Sequence, residues 1–292
     1  MGGRRVSSEL PMAESWLTGG HLACPGCGAA LAIRLAGQVL GRRCMIAVPA
    51  SCAGTVGASG LGTAWQIPFF HSLFECAPAV ASGMRAGLDV QGIADATVVS
   101  WAGDAGTGDI GFQALSGAAE RNEDLLAVCY DNELAMNTSG QADGSTPVAS
   151  RSSVTPQGKR TVKKDLPRIM AAHEVPYVAT ASVAYPADFQ AKLRKAVGIK
   201  GFRYLHVLAP CHVGWEIPPE QSVHVTRMAT ESGLFPLYEV EHGVRSQTVF
   251  PNRKVPVADY LRSQGRFRTA TEAEIAELQH QVDARGVWRA GV

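Results

Sequence analysis

The chain has 292 residues, 46% of them hydrophobic and 18% charged, with a net charge of +1. That length and apolar content suffice to bury one large α/β core, and a charge near zero leaves no electrostatic footprint for nucleic acid. A low charged fraction rich in Ala and Gly suits a subunit partly covered by partners.

Met1-Gly-Gly-Arg-Arg5 lacks the apolar run of a signal peptide, and no apolar stretch reaches membrane-spanning length. A cytoplasmic chain without membrane contact is therefore expected. Arg4-Arg5 has the look of a twin-arginine signal, but no hydrophobic region follows it.

Residues 1–20 read as an irregular arm closed by Gly19-Gly20. After the Cys24-Pro-Gly-Cys27-Gly28 turn a helix is predicted from Ala29 to Leu40. Short apolar runs then read as strands at Met45–Val48, Thr97–Trp101, Leu125–Tyr130, Tyr177–Thr180 and Phe202–Leu208. Helices are predicted between them at Cys76–Leu88, Ile110–Arg121, Leu166–His173 and Asp188–Val197. This alternation predicts an α/β fold, a doubly wound and mostly parallel sheet whose strands are covered on both faces. Residues 138–165 form a polar stretch without periodicity, of the length that marks a functional lid or an interface. Beyond Trp215 the pattern weakens to helices at Gln221–Glu231 and Thr271–Gln281. The expected division is an arm at 1–20, an α/β domain at 21–214 and a C-terminal extension at 215–292 packed on the core or a partner.

Thr97 to Gly103 is a buried strand that ends on Asp104, and Ala105-Gly-Thr-Gly-Asp109 then opens a helix of small residues. Backbone amides and the dipole at a helix start favour phosphate, and glycine allows close approach. Asn132 follows Asp104 by 28 residues, about one helix plus one strand, so both emerge at one sheet edge. A carboxylate, an amide oxygen and a main-chain carbonyl are hard ligands suited to Mg2+ holding a diphosphate. A plain βαβ unit whose Asp and Asn cap turns would also give this pair. The ordered set favours thiamine diphosphate.

Seven cysteines, at positions 24, 27, 44, 52, 76, 129 and 211, argue against a disulfide framework and for metal ligation by some of them. Cys52 and Cys211 each lie just past a predicted strand, so they should share the rim with Asp104 and Asn132. Together with Cys24 and Cys27 they could hold zinc or a 4Fe–4S cluster, and only the cluster accepts electrons. Cys44, Cys76 and Cys129 are assigned to the core.

His21-Leu-Ala-Cys-Pro-Gly-Cys-Gly28, Thr63-Ala-Trp-Gln-Ile-Pro68, Gly108-Asp-Ile-Gly-Phe-Gln-Ala-Leu-Ser-Gly117, Tyr130-Asp-Asn-Glu133, Met136-Asn-Thr138 and Ala209-Pro-Cys-His-Val-Gly-Trp215 resemble the thiamine diphosphate-binding β subunit of 2-oxoacid:ferredoxin oxidoreductases, the pyruvate:ferredoxin oxidoreductase superfamily. The likeness runs from about His21 to Tyr238. It implies the diphosphate-module type of α/β sheet, and oxidative decarboxylation of a 2-oxo acid with coenzyme A to acyl-CoA and CO2. The resemblance also implies that Cys24, Cys27, Cys52 and Cys211 hold a 4Fe–4S cluster, and that Asp104, Asn132 and the Leu134 carbonyl bind Mg2+. Gly103, Ala105, Gly106 and residues 132–137 are implied to line the cofactor, with Ala29 and Cys52 as further contacts. Asn137 is the implied catalytic residue, hydrogen-bonding the substrate where negative charge develops.

In that family the carboxylate that activates the aminopyrimidine comes from a pyrimidine-domain partner subunit, and electrons leave through ferredoxin-like or other electron-transfer subunits. The chain departs from the pyruvate-type pattern at Ala105, Gln66, Cys76 and Ala135. Ala135, where an aromatic residue is common, implies room for a bulkier 2-oxo acid, branched or aryl. The competing class is a non-redox thiamine decarboxylase or carboligase with structural zinc. His71 reads as core or turn packing. His212 reads as either a donor to cluster sulfur or a surface residue. Lys159, Arg160, Lys163 and Lys164 read mainly as a solvated loop, with a docking patch as the alternative.

Overall fold

The computed structural model describes residues 15–59 and 62–285, so most of the expected arm lies outside the described residues. Ten strands form among these residues: β1 Cys44–Pro49, β2 Ala58–Ser59, β3 Gly62–Thr63, β4 Phe69–Ser72, β5 Thr97–Gly103, β6 Leu126–Asp131, β7 Tyr177–Ser182, β8 Arg203–Leu208, β9 Tyr238–Glu241 and β10 Val244–Gln247. Eight of them make one sheet in the order β10-β9-β7-β8-β6-β5-β1-β4, while β2 and β3 form a small ribbon. The six strands from β7 to β4 pair in parallel, and β9 and β10 add antiparallel at one edge. The mostly parallel α/β sheet expected from the apolar runs is the observed architecture.

Parallel strands need crossovers on both faces, and these explain why β5 to β8 read as continuous apolar runs. Helices Gly28–Leu40 and Pro186–Gly198 cover one face, burying Ile33, Ala36, Phe189 and Leu193 against Ile46, Val99 and Val128. Helices Ala77–Val90, Phe112–Glu120 and Leu166–Ala171 cover the other, where Ala81, Leu115 and Met170 meet Val98, Ala127 and Tyr204. Cys44 and Cys129 are core residues as expected. Cys76 is half-buried, just before helix Ala77–Val90.

A third core joins Leu134 and Trp215 to Val257, Leu261 and Leu278, so part of the C-terminal extension packs against the loops at the strand ends. The extension also supplies β9 and β10 to the sheet. Helix Glu272–Arg285 was expected to be shorter, and helix Val257–Arg262 had no sequence signal. The helix expected at Ile110–Arg121 is Phe112–Glu120, and the helix opening expected at Ala105–Asp109 is a separate short helix, Asp104–Gly108. Gly111 permits the break, because a Cβ there would lie 2.0 Å from the Gly106 carbonyl oxygen.

Trp101, on β5, is fully buried; its ring stacks on Tyr130 at 6.5 Å and meets the edge of Trp16 at 6.2 Å. Removing it leaves a large void at the sheet centre. Trp101→Ala is expected to cost about 3–5 kcal/mol, measured as a lower urea midpoint at unchanged m-value.

Candidate active site

Four adjacent parallel strands, in the order β8-β6-β5-β1, deliver their C-terminal ends to one rim. Cys211, Asn132, Asp104 and Cys52 follow those four ends. The chain passes from β1 out to β4 and returns to β5 on the other side of β1. At this reversal lies a cleft of about 250 Å3 lined by Cys52, Gly103, Asp104, Asn132, Leu134 and Asn137, with Ala105, Gly106 and Ala135. Ligands of open α/β sheets sit in such crevices. A larger cavity of about 600 Å3, beside β9 and helix Leu166–Ala171, contains none of the expected site residues. Ala29 stands apart from its expected neighbours. Its helix docks close against the loop before Cys211, with the Gly28 amide donating to the Pro210 carbonyl at 2.9 Å, and this turns Ala29 into the core.

The turn after β6 is wound by its own side chains. The Glu133 amide donates to Asp131 Oδ1 at 2.9 Å, and the Leu134 amide to Asn132 Oδ1 at 3.2 Å. The Leu134 amide also donates to Asp104 Oδ2 at 3.1 Å, so the two predicted ligand side chains converge on one point. The Leu134 carbonyl already accepts from the Met136 amide at 2.7 Å, which leaves it one lone pair. Glu133 carries a left-handed φ of +65°. Lys163 bridges Asp131 and Glu133 at 2.6 and 2.8 Å, and Arg266 takes the other Glu133 oxygen.

The electrostatics of the two aspartates differ. Burial opposes charge on Asp131, yet Lys163 and His206 hold its carboxyl far below the ordinary carboxylate range. Asp104 has no cationic side chain against it among the described residues. Burial, then the Asp143 and Asp131 carboxylates, push its pKa well above the usual value. A buried carboxylate and an amide oxygen converging without a countercharge form a donor set that fits a hard divalent cation.

Burial pushes the Cys52 thiol up to about 12, with further increments from Cys211, Cys27, Asp104 and Cys24. Cys211 is raised by burial first and then, against an opposing Gly214 amide, by Cys27 and Cys24; Cys27 is raised by burial and by Cys24. Every pair among the four thiols therefore interacts electrostatically. Among the described residues no three His, Cys, Asp or Glu side chains close on a single point as a one-ion site. Gly26 and Gly28 allow this crowding. A Cβ on Gly28 would fall 2.4 Å from the Pro210 nitrogen, and Gly26 has φ +73° with Pro219 oxygen 2.6 Å from where a Cβ would stand.

The basic run is not a solvated loop. Lys163 reaches Asp131 and Glu133, Lys164 pairs with Asp109 at 2.8 Å, and Lys159 donates to the Asp143 carbonyl; only Arg160 stays exposed. The acids that draw Lys163 and Lys164 inward lie 30 or more residues away in sequence, beyond the reach of a composition argument. His71 is exposed on edge strand β4 and not packed in a core or turn. His212 is half-buried at the start of helix His212–Trp215. Arg266, whose side chain completes the turn, carried no sequence signal.

The family described as "Thiamine pyrophosphate enzyme, C-terminal TPP binding domain" matches residues 52–207. The pyruvate synthase subunit PorB of Methanothermobacter marburgensis is 45% identical over 93% of this chain and 96% of its own length. The ketoisovalerate oxidoreductase subunit VorB of Pyrococcus abyssi is 41% identical over 94% and 91%. This chain belongs to the β subunits of the 2-oxoacid:ferredoxin oxidoreductases. Its fold matches a 2-oxoglutarate:ferredoxin oxidoreductase from Magnetococcus marinus, solved with 2-oxoglutarate, coenzyme A and succinyl-CoA bound, at TM-score 0.60, 22% identity and 70% coverage of each chain. Membership of this oxidoreductase family, with its thiamine diphosphate domain, sets aside the non-redox carboligase reading. No helix among the described residues is long and apolar enough to cross a membrane.

Asp143 beside this turn gives a pH test. Burial, then Asp131, raises its pKa to about 6, and its Oδ2 has no partner while Oδ1 accepts from Ser145 and Thr146. The folded value lies above an unfolded value of about 3.9. Its contribution to stability is therefore full below pH ~4 and lost as pH rises through about 6. Asp143→Asn keeps the Oδ1 contacts and is expected to stabilise the metal-free protein by roughly 2 kcal/mol at pH 8. Thermal melts from pH 4 to 8 should show that slope in the native protein and not in the variant.

Proposed function

We propose that this chain is the cofactor-holding catalytic subunit for oxidative decarboxylation of a 2-oxo acid bulkier than pyruvate, forming an acyl-CoA and passing electrons to a 4Fe–4S cluster. The observation that carries the reading is the meeting of Asp104 and Asn132 oxygens on the Leu134 amide, in a cleft that Cys52 also lines. Asp104, Asn132 and the free lone pair of the Leu134 carbonyl would hold Mg2+. Cys24, Cys27, Cys52 and Cys211 would hold the cluster. A single zinc requires four sulfurs about 2.3 Å from one centre, whereas a cluster spreads its irons and takes a wider set of mutually interacting thiols.

Thiamine diphosphate, when bound, supplies the electron sink for loss of CO2. The chain's own residues bind, orient and shield. Backbone amides at the start of helix Asp104–Gly108 would face the anionic oxygens of the cofactor, and the burial of Asp104 would keep competing water from the metal. Thr55 Oγ1 donates to Asn137 Oδ1 at 3.2 Å, which leaves the Asn137 amide group to donate to a substrate oxygen at the cleft mouth. Ala135, on the cleft wall, leaves space for a branched or aryl side chain.

Phe74 lines the cleft and is exposed, and Phe70 and Leu73, near it in the chain, are exposed apolar residues too. Such a surface suits the pyrimidine-domain partner, which would close the cleft and bring the activating carboxylate. No carboxylate of this chain is assigned that role.

In the assembled complex, turnover of an aryl or branched 2-oxo acid with coenzyme A is expected to exceed that of pyruvate, and strong preference for pyruvate rejects the substrate assignment. Ala135→Tyr should shift the kcat/KM ratio toward pyruvate by about tenfold or more. A second measurement addresses the cofactors. Asp104→Ala should abolish Mg2+-dependent thiamine diphosphate binding in titration while leaving intact a brown, dithionite-bleached absorption. Cys52→Ser should do the reverse, and a colourless native complex sinks the redox reading.

A further inference from the structure

The chemistry above leaves the C-terminal extension without a task, yet its 3-10 turn Gly265–Phe267 is buried against the rim. We propose that this turn is a clip locking the diphosphate turn (131–134) to the thiol turn (211–216), with Arg266 as positioning residue and Trp215 as the strut between them. The inference rests on the proposed function for its meaning and on side-chain geometry for its existence.

The Arg266 guanidinium is buried and caps the Trp215 ring at 4.3 Å. Its Nε donates to Gln264 Oε1 at 2.9 Å, and one terminal nitrogen pairs with the Glu133 carboxylate. The Trp215 indole N–H donates to the Asn132 carbonyl at 2.8 Å, while the Trp215 amide donates to the Cys211 carbonyl at 2.8 Å. Trp215 thus joins the two turns, its indole to the Asn132 carbonyl and its backbone amide to the Cys211 carbonyl. Gly214 permits the approach, since a Cβ there would lie 2.6 Å from Leu134 Cδ1.

Strain points the same way. Glu133 and Glu216, one in each turn, have left-handed φ values of +65° and +53°. Glu133 is met by Arg266 of the clip, and Glu216 by Arg268 immediately after it. The Gly265 amide donates to the Glu216 carbonyl at 3.3 Å, and a Cβ on Gly265 would sit 2.6 Å from Glu216 Cβ. Non-glycine residues hold such conformations only where their surroundings enforce them. Arg266→Met keeps apolar bulk over the indole and leaves Glu133 one cation, Lys163, which it shares with Asp131, so Trp215→Phe, which removes no charge, is the cleaner of the two variants.

The test uses the assembled complex. Trp215→Phe, which removes one hydrogen bond, is expected to weaken Mg2+–thiamine diphosphate binding three- to tenfold. Arg266→Met should weaken it tenfold or more and should also lower iron content or broaden the reduced-cluster EPR signal. In cofactor-free protein both variants should speed hydrogen exchange at the Leu134 and Trp215 amides. Arg262→Ala, which breaks an exposed pair with Glu272 elsewhere in the extension, should change none of these. Binding, EPR and exchange within twofold of the native protein in Trp215→Phe overturn the clip, even if Arg266→Met fails to fold. A native complex that binds no thiamine diphosphate while the exchange effect persists removes the functional reading and leaves the clip standing.

Discussion

The rim is organised around negative charge that the fold buries and then answers unevenly. Asp104, Asp131 and Asp143 influence one another's ionisation. Taken out of water, three such groups cannot all remain charged without cations or hydrogen bonds nearby. Asp131 receives both, from Lys163, His206 and the Glu133 amide, and stays ionised. Asp104 receives amides alone. The difference separates a carboxylate held by cations from one without them, although both stand at the ends of neighbouring parallel strands.

Topology makes the site compact at little cost in local design. Once β8, β6, β5 and β1 are parallel neighbours, whatever follows each strand is brought to the same rim. Two thiols, a carboxylate and an amide arrive within three residues of their strand ends. The remaining thiols, Cys24 and Cys27, enter from the start of helix Gly28–Leu40, and the Gly28–Pro210 hydrogen bond pins that entry to the Cys211 loop. The close backbone passage at Gly28 is thus as necessary to the thiol set as the cysteines themselves.

Much of this was legible in the residues. Strands β1 and β5 to β8 declared themselves because both of their faces are covered, and Asp104, Asn132, Cys52 and Cys211 declared themselves as residues just past strand ends. Strands β9 and β10 did not, being four residues each, exposed on one side or both and rich in charge. Lys163 looked like a surface charge because its partners Asp131 and Glu133 are some 30 residues away. Ala29 was a cofactor contact by resemblance alone, but a helix presents successive residues 100° apart, and the tight seat of Gly28 leaves its neighbour in the core. Long-range pairing and face selection were the missing information in each case.

The left-handed glutamates explain why the extension and the rim belong together. A residue such as Glu133 in that conformation costs about 1–2 kcal/mol, and the cost recurs at Glu216. Glycine at either position would relieve the backbone and would also forfeit the carboxylate that Arg266 or Arg268 grips. The chain keeps the carboxylates and supplies the restraint from more than 50 residues downstream. A turn so held has one geometry to present to a cation, whereas a glycine turn would have several. Preorganisation of this kind lowers the ordering cost of any binding event, and it makes the order of the rim depend on the docking of a segment that lies outside the cleft lining.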